Sequence, residues 1–188
     1  MFIQTEPTPN PATLKFLPGR TVMAAGVADF VDPERAEASP LARHLFDVEG
    51  VTGVFLGGDF ITVTKAEGHE WYELKPAVLG AIMEHFLSGQ PVIEDGVEVA
   101  QEPAAAGAEG EDSEVVRQIR ELIETRVRPA VAQDGGDITL RGYDRGVVYL
   151  HLRGSCAGCP SSIVTLKNGI ENLLRYYVPE VVEVRAIS

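Results

Sequence analysis

The stretch from Glu94 to Ser113 decides what this chain can fold into. It holds seven Asp and Glu residues, no Lys, no Arg and no aromatic side chain, and includes the run Glu-Pro-Ala-Ala-Ala-Gly-Ala-Glu-Gly-Glu-Asp. Such a segment cannot bury enough apolar surface to offset the entropy lost on ordering it. Repulsion among its carboxylates also favours extension. Residues 94–113 are therefore expected to form a disordered acidic linker, which rules out one continuous core. Two small domains remain, residues 1–93 and 114–188, each with a modest core of its own.

Charge follows the same division. The 188 residues carry a formal net charge of -12. Residues 1–113 have 6 Lys and Arg against 19 Asp and Glu, whereas residues 114–188 have 10 against 9. The acidic first half argues against nucleic acid as a partner, because phosphate binding needs clustered cations. No apolar run approaches the ~20 residues that span a bilayer, so no membrane partner is expected. The opening Met1-Phe2-Ile3-Gln4-Thr5-Glu6 has neither the basic and apolar regions of a secretory signal nor the Arg-rich character of an organellar presequence. A cytoplasmic protein is expected on that ground. Two Cys in such a chain suggest reduced thiols for metal or redox chemistry rather than a disulfide framework.

Both halves mix helix and strand, an α+β fold class. In the first, Pro7, Pro9 and Pro11 forbid a helix and predict a turn-rich start. Leu14 and Phe16 alternate with Thr13 and Lys15, as in a strand. Ser39-Pro40 reads as an N-cap followed by Pro at the first helical position, with Leu41, Leu45 and Phe46 behind it. Val51 to Leu56 and Phe60 to Thr64 flank Gly57-Gly58-Asp59 and predict a hairpin. Leu74, Val78, Ile82 and Phe86 predict a helix ending at Gly89 and Pro91.

The second half reads helix, strand, strand, helix, strand. Val116, Ile119 and Ile123 mark a helix capped by Ser113, which Pro129 kinks or ends. Asp134-Gly135-Gly136-Asp137 predicts a turn. Ile138 to Gly142 and Val147 to Arg153 predict a hairpin around Asp144-Arg145-Gly146. Ile163, Leu166, Ile170, Leu173 and Tyr177 predict a second amphipathic helix, and Val181 to Ile187 a closing strand. That order suits a small sheet with both helices packed on it.

The chemistry concentrates in Gly154-Ser155-Cys156-Ala157-Gly158-Cys159-Pro160-Ser161-Ser162, between a predicted strand and a predicted helix. Two thiols with two residues between them can face one metal. Gly154 and Gly158 allow tight backbone and open N–H groups. Pro160 suits the first helical position, which puts Cys159 at the positive end of the helix, where thiolate is favoured. An iron–sulfur cluster usually takes four Cys thiolates, so two chains would share one, in a homodimer with the cluster on its twofold axis. Three other readings stay open at this level. The pair can be buried structural cysteines, though Gly-flanked loop thiols are poor core material. It can hold zinc shared between two chains. It can be a thioredoxin-like dithiol, though that calls for a larger βαβ setting than the helix and hairpin order here suggests.

The run from Arg128 to Ile138 (with Asp134-Gly135-Gly136-Asp137), the run from Leu152 to Ser162 (with Cys156 and Cys159) and the run from Thr165 to Glu171 closely resemble the C-terminal domain of NifU-like proteins. Pro7 to Phe16, Phe60 to Lys65 and Trp71 with Leu74-Lys75-Pro76 resemble the N-terminal domain of the Nfu family. The resemblance implies a 4Fe–4S rather than a 2Fe–2S cluster, bridged between two protomers through Cys156 and Cys159 and delivered to apo iron–sulfur recipient proteins. Upstream assembly factors are implied as further partners. It also implies that residues 1–93 recognise partners and hold no cluster, in keeping with the lack of Cys before position 156. The Cys-rich scaffold domain of full-length NifU proteins is absent from the sequence, so delivery is expected more than primary assembly.

The remaining candidates weigh towards structural roles. His44, His69, His85 and His151 are dispersed, and an exposed strand position is the expectation for His151 even though it precedes the Cys loop. Turn formation explains Asp134 and Asp137 better than a hard-cation site. Gly57-Gly58-Asp59 lacks the Lys and Ser/Thr of a phosphate loop. Trp71 is expected to pack a core more than to dock a partner. Ser161 and Ser162 have no His/Asp pairing in the sequence. No catalytic constellation remains, and a non-enzyme is expected.

Overall fold

The computed structural model describes residues 1–94, 114–157 and 160–187. The chain divides into two compact units, Met1–Gln101 and Glu102–Ser188, each with its own buried core. Both mix helix and strand, as the α+β reading requires. The expected linker, apart from Glu94, lies outside the described residues, as do Ser113, Gly158 and Cys159.

In the first unit, β1 (Gln4–Pro7), β2 (Thr13–Leu17), β3 (Ala28–Phe30), β4 (Val51–Leu56) and β5 (Ile61–Lys65) form one sheet in the order β1-β2-β5-β4-β3. Every pairing is antiparallel. The proline-rich start contributes a strand as well as a turn. Pro7 ends β1 at the sheet edge, where a missing N–H is tolerated. β3 and a 3-10 turn over Pro33–Ala38 carry no periodic signal and were not expected.

α1 (Pro40–Phe46) begins as its cap predicts: the Ser39 hydroxyl oxygen accepts from the Ala42 N–H at 3.0 Å. The same hydroxyl donates to the Val92 carbonyl at 2.6 Å, tying the end of the unit to the start of this helix. α2 (Trp71–Ser88) stops at Gly89, left-handed at φ 71. Leu74, Val78 and Ile82 are buried as predicted. Phe86 is only partly covered, and His85 takes the buried position instead.

In the second unit, α3 (Glu114–Leu122), a π turn over Ile123–Val127 and α4 (Arg128–Gln133) follow without a break. Pro129, expected to kink or end the helix, stands in the first turn of α4. There its missing N–H is accommodated by the wider turn that precedes it.

β6 (Gly136–Asp144) and β7 (Val147–Gly154) form the predicted hairpin through Arg145-Gly146, both at positive φ (48 and 83). α5 (Pro160–Tyr177) then leads to β8 (Glu183–Ile187), which pairs parallel with β7 in the sheet order β6-β7-β8. The Cys loop is thus the first connection of a strand–helix–strand crossover. Ile119, Ile123, Ile138, Leu150, Ile170 and Leu174 share the core. Tyr177, expected on the inner face of α5, is exposed.

Candidate metal centre

β7 ends at Gly154, whose φ of 64 lies in the left-handed region that favours glycine. The turn carries Ser155 and Cys156 back over the start of β6. The Ser155 N–H donates to the Gly135 carbonyl at 3.3 Å, and its hydroxyl donates to the Asp134 carbonyl. The Ala157 N–H closes the turn on the Gly154 carbonyl at 3.1 Å.

These bonds press Cys156 against Gly136. A Cβ built on Gly136 would stand 2.6 Å from Cys156 Sγ, 2.9 Å from the Arg153 carbonyl oxygen and 3.2 Å from the Cys156 nitrogen. Gly136 is therefore a cradle that no other residue type leaves open. Asp134-Gly135-Gly136-Asp137 is more than the predicted turn: Gly135, at φ 80, follows the end of α4, and Gly136 starts β6 beneath the sulfur.

Asp137 locks the cradle from beside. Its carboxylate accepts from Arg128 Nε at 2.9 Å and from a second Arg128 nitrogen at 3.2 Å. Arg128 reaches Glu124 at 2.7 Å with its remaining nitrogen. The Arg128 guanidinium thus satisfies the buried Asp137 carboxylate without a metal ion. Among the described residues, no group of three or more His, Cys, Asp and Glu side chains is placed to hold a metal ion.

Cys156 is 7% exposed and belongs to the core of its unit. Burial pushes its thiol up to about 11; the Ser155 hydrogen bond lowers it, while Asp134 and Asp137 push the same way as burial. At neutral pH the described side chain is a neutral thiol. The positive end of the helix bears on Cys159, which is outside the described residues; at Cys156, desolvation dominates.

His151 is half-buried, with Nδ1 3.3 Å from Arg141 Nη2 and 3.3 Å from Arg153 Nε. Burial, then Arg153 and Arg141, lower its pKa. Two cations at the ring give it an electrostatic setting unlike that of a metal ligand. Trp71 packs against the first unit's core and donates from Nε1 to the Pro11 carbonyl at 3.1 Å.

Sequence reasoning missed Gly136, Ser155, Arg128 and Asp137 as supports of the Cys loop. One signal was present: a helix end needs one left-handed glycine, and this sequence has two in a row.

The family described as "Scaffold protein Nfu/NifU N terminal" matches residues 3–89, and that described as "NifU-like domain" matches residues 119–185. The protein named "NFU1 iron-sulfur cluster scaffold homolog, mitochondrial" of Drosophila sechellia is 53% identical over 188 residues, 100% of this chain and 65% of that relative. The protein of the same name from Homo sapiens is 51% identical over 182 residues, 96% of this chain and 70% of its own length. A solution NMR structure of a NifU-like protein from Saccharomyces cerevisiae covers 50% of this chain and 86% of its own, at 28% identity and a TM-score of 0.41.

These names overturn the expectation of a cytoplasmic protein, since the relatives matched over 100% and 96% of this chain are named as mitochondrial proteins. That expectation was drawn from the first six residues alone, while the chain spans only 65% of the fly relative's length. The two family matches and the relatives together show that the chain belongs to the Nfu family, with an Nfu/NifU N-terminal domain followed by a NifU-like domain.

Proposed function

We propose that this chain is an iron–sulfur cluster scaffold of mitochondria that holds a 4Fe–4S cluster between two copies of itself and passes it to apo recipient proteins. Cys156 and Cys159 of each copy are the ligands. Residues 114–188 carry the cluster, residues 1–93 meet recipients and upstream assembly factors, and residues 94–113 join them. The chain is not an enzyme in this reading: the cluster is cargo.

The observation that carries the proposal is the concentration of both cysteines of the chain in one loop, with Gly136 kept bare against the sulfur of Cys156. Two thiolates per chain leave a cluster half-held, so four from two chains complete it. A site complete only in a pair releases its cargo when recipient thiolates replace its own. Protons balance: each thiol that takes metal releases its proton to solvent, and when a recipient thiol displaces it, the proton the recipient gives up restores it.

The dithiol reading gains one point from the fold, the strand–helix–strand crossover around the loop. Cys156 speaks against it. An attacking thiol must be ionised and reachable before it meets its substrate, and this one is buried and raised to about 11; an incoming metal ion instead displaces the proton as it binds.

The test is anaerobic reconstitution of the full chain with iron and sulfide, with metal analysis and sedimentation. About two irons per chain in a dimer are expected, with none retained after Cys156→Ser or Cys159→Ser. A chain that stays iron-free with both thiols reduced, or that retains zinc in its place, overturns the proposal.

A further inference from the structure

The outer face of α2 has the chemistry of a binding surface. Its inner face is formed by Leu74, Val78, Ala81, Ile82 and His85. On the opposite side Tyr72, Pro76, Gly80, Met83 and Leu87 follow one another along one stripe, and all of them are exposed. Tyr72 is 76% and Leu87 75% exposed. Partly buried Leu79 and Phe86 extend the stripe along one edge. A surface helix ordinarily turns polar residues outward. An apolar row running ~22 Å along a helix marks a contact surface.

Pro76 and Gly80 sharpen the point. They are the residue types least favourable inside a helix, and α2 carries both, one turn apart, in the exposed stripe. Pro76 also removes the N–H that would bond the Tyr72 carbonyl. A Cβ at Gly80 would meet nothing within 4 Å among the described residues. No neighbour inside the described chain requires a glycine there. A second helix crossing at that point would, because a missing side chain lets two helix axes approach.

Charge selects the partner. Glu73 and Glu84, both exposed, line the edge of the stripe away from Leu79 and Phe86, separated by ~16 Å along the helix. Glu84 is 3.5 Å from His44 Nε2. The other edge carries a cation, the Arg20 guanidinium 4.8 Å from the Phe86 ring centre. Residues 1–94 hold 6 Lys and Arg against 13 Asp and Glu, so the whole unit attracts cations.

We propose that this face binds an amphipathic helix of another protein, whose apolar stripe is bordered on one flank by two Lys or Arg about three turns apart. The inference does not depend on the cluster.

The probe is a fluorescein-labelled helical peptide of about 18 residues. It has Leu at every third or fourth position, Ala at its centre and two Lys three turns apart on one flank; a control carries Glu for those Lys. Fluorescence anisotropy with the full chain is expected to show the Lys peptide binding at least ten-fold more tightly than the Glu peptide. Leu87→Glu and Gly80→Leu are expected to weaken the Lys peptide at least ten-fold with thermal unfolding midpoints no lower than the wild type's, since both positions are exposed. Glu73→Lys with Glu84→Lys is expected to reverse the preference. Equal binding to wild type and Leu87→Glu, no binding by either peptide, or indifference to the charge reversal overturns the proposal. So does self-association, or sedimentation with phosphatidylcholine–cardiolipin vesicles, that Leu87→Glu abolishes, because a second copy or a membrane would then be the occupant.

Discussion

Replacing Gly136 by Ala tests the cradle directly. The new Cβ falls 2.6 Å from Cys156 Sγ and 2.9 Å from the Arg153 carbonyl oxygen. Gly136 is not among the glycines at positive φ, so its backbone admits Ala and only space opposes it. The Arg153 oxygen belongs to β7, which is in register with β6 at Gly136–Gly154 and Asp137–Arg153, and cannot recede without disturbing that ladder. The sulfur must give. Overpacking of this kind costs ~1–3 kcal/mol, against ~0.5–1 kcal/mol regained by removing a strand glycine. A net loss of ~1–2 kcal/mol is expected in the urea unfolding of the second unit.

The second readout is chemical. With Cys159→Ser in the background, iodoacetamide at pH 8 reports Cys156 alone. A thiol held at about 11 is ~0.1% ionised at that pH, and one released to ~8.5 is about one quarter ionised. Lower nucleophilicity of the more acidic thiolate returns roughly a factor of ten, leaving an acceleration of ~20-fold. Gly169→Ala, at a helix position with nothing within 4 Å, is the control and is expected to leave alkylation unchanged. If Gly136→Ala neither destabilises the unit nor accelerates alkylation, the close approach does not hold the sulfur and the cradle argument is refuted.

Three further outcomes are expected. Burial raises the folded-state pKa of Cys156 from 9.0 to about 11, so its contribution is complete below pH 9 and disappears as pH rises through about 11. Two pH units correspond to ~3 kcal/mol, and urea midpoints of wild type should fall more steeply over that window than those of Cys156→Ala; parallel slopes would refute it. In the first unit, His85 is fully buried, and neither ring nitrogen has a hydrogen-bond partner among the described residues. Burial, then His44, lower its pKa below 6.5, so stability present above pH ~6.5 is lost as pH falls towards the folded-state value. His85→Leu should narrow the gap between urea midpoints at pH 7.5 and 5.5, and an unchanged gap would reject this assignment. Arg145 stands at φ 48 in the β6–β7 turn, a conformation Asn tolerates better; Arg145→Asn should raise stability by ~0.5–1 kcal/mol in the same assay, and a loss would show that the Arg side chain outweighs the strain.

Elements with a local signal were readable in the sequence. The Ser39 cap, the Gly89 stop, the hairpin at Arg145-Gly146 and the alternating strands all rest on neighbours in the chain. Features fixed by tertiary contact were not. β3 is only three residues long and owes its pairing to β4. Pro129 reads as a helix breaker until the π turn before it is seen. His85 looks like one of several scattered polar residues, and only the packing of α2 reveals it as fully enclosed. At the Cys loop, spacing identified the thiols but not their state, because ionisation depends on what covers the sulfur.

That state bears on how the proposed carrier works. A resident metal site gains from ligands that are ionised and arranged before the metal arrives, since every proton still bound opposes loading. Cys156 instead packs as a core residue, neutral and covered. Cover also protects, because oxidation needs an accessible thiolate. A chain that spends part of each cycle empty benefits from a thiol that is inert alone and becomes a ligand when metal and a second chain arrive together. Gly136 suits both conditions of that proposal: with no side chain it houses the sulfur, and it would put no atom in the way of a sulfur turning out to bind metal. The Arg128–Asp137 fork beside it ties the start of β6 to α4. In the carrier proposed above, the same fork would keep Asp137 beside Gly136 when Cys156 takes metal.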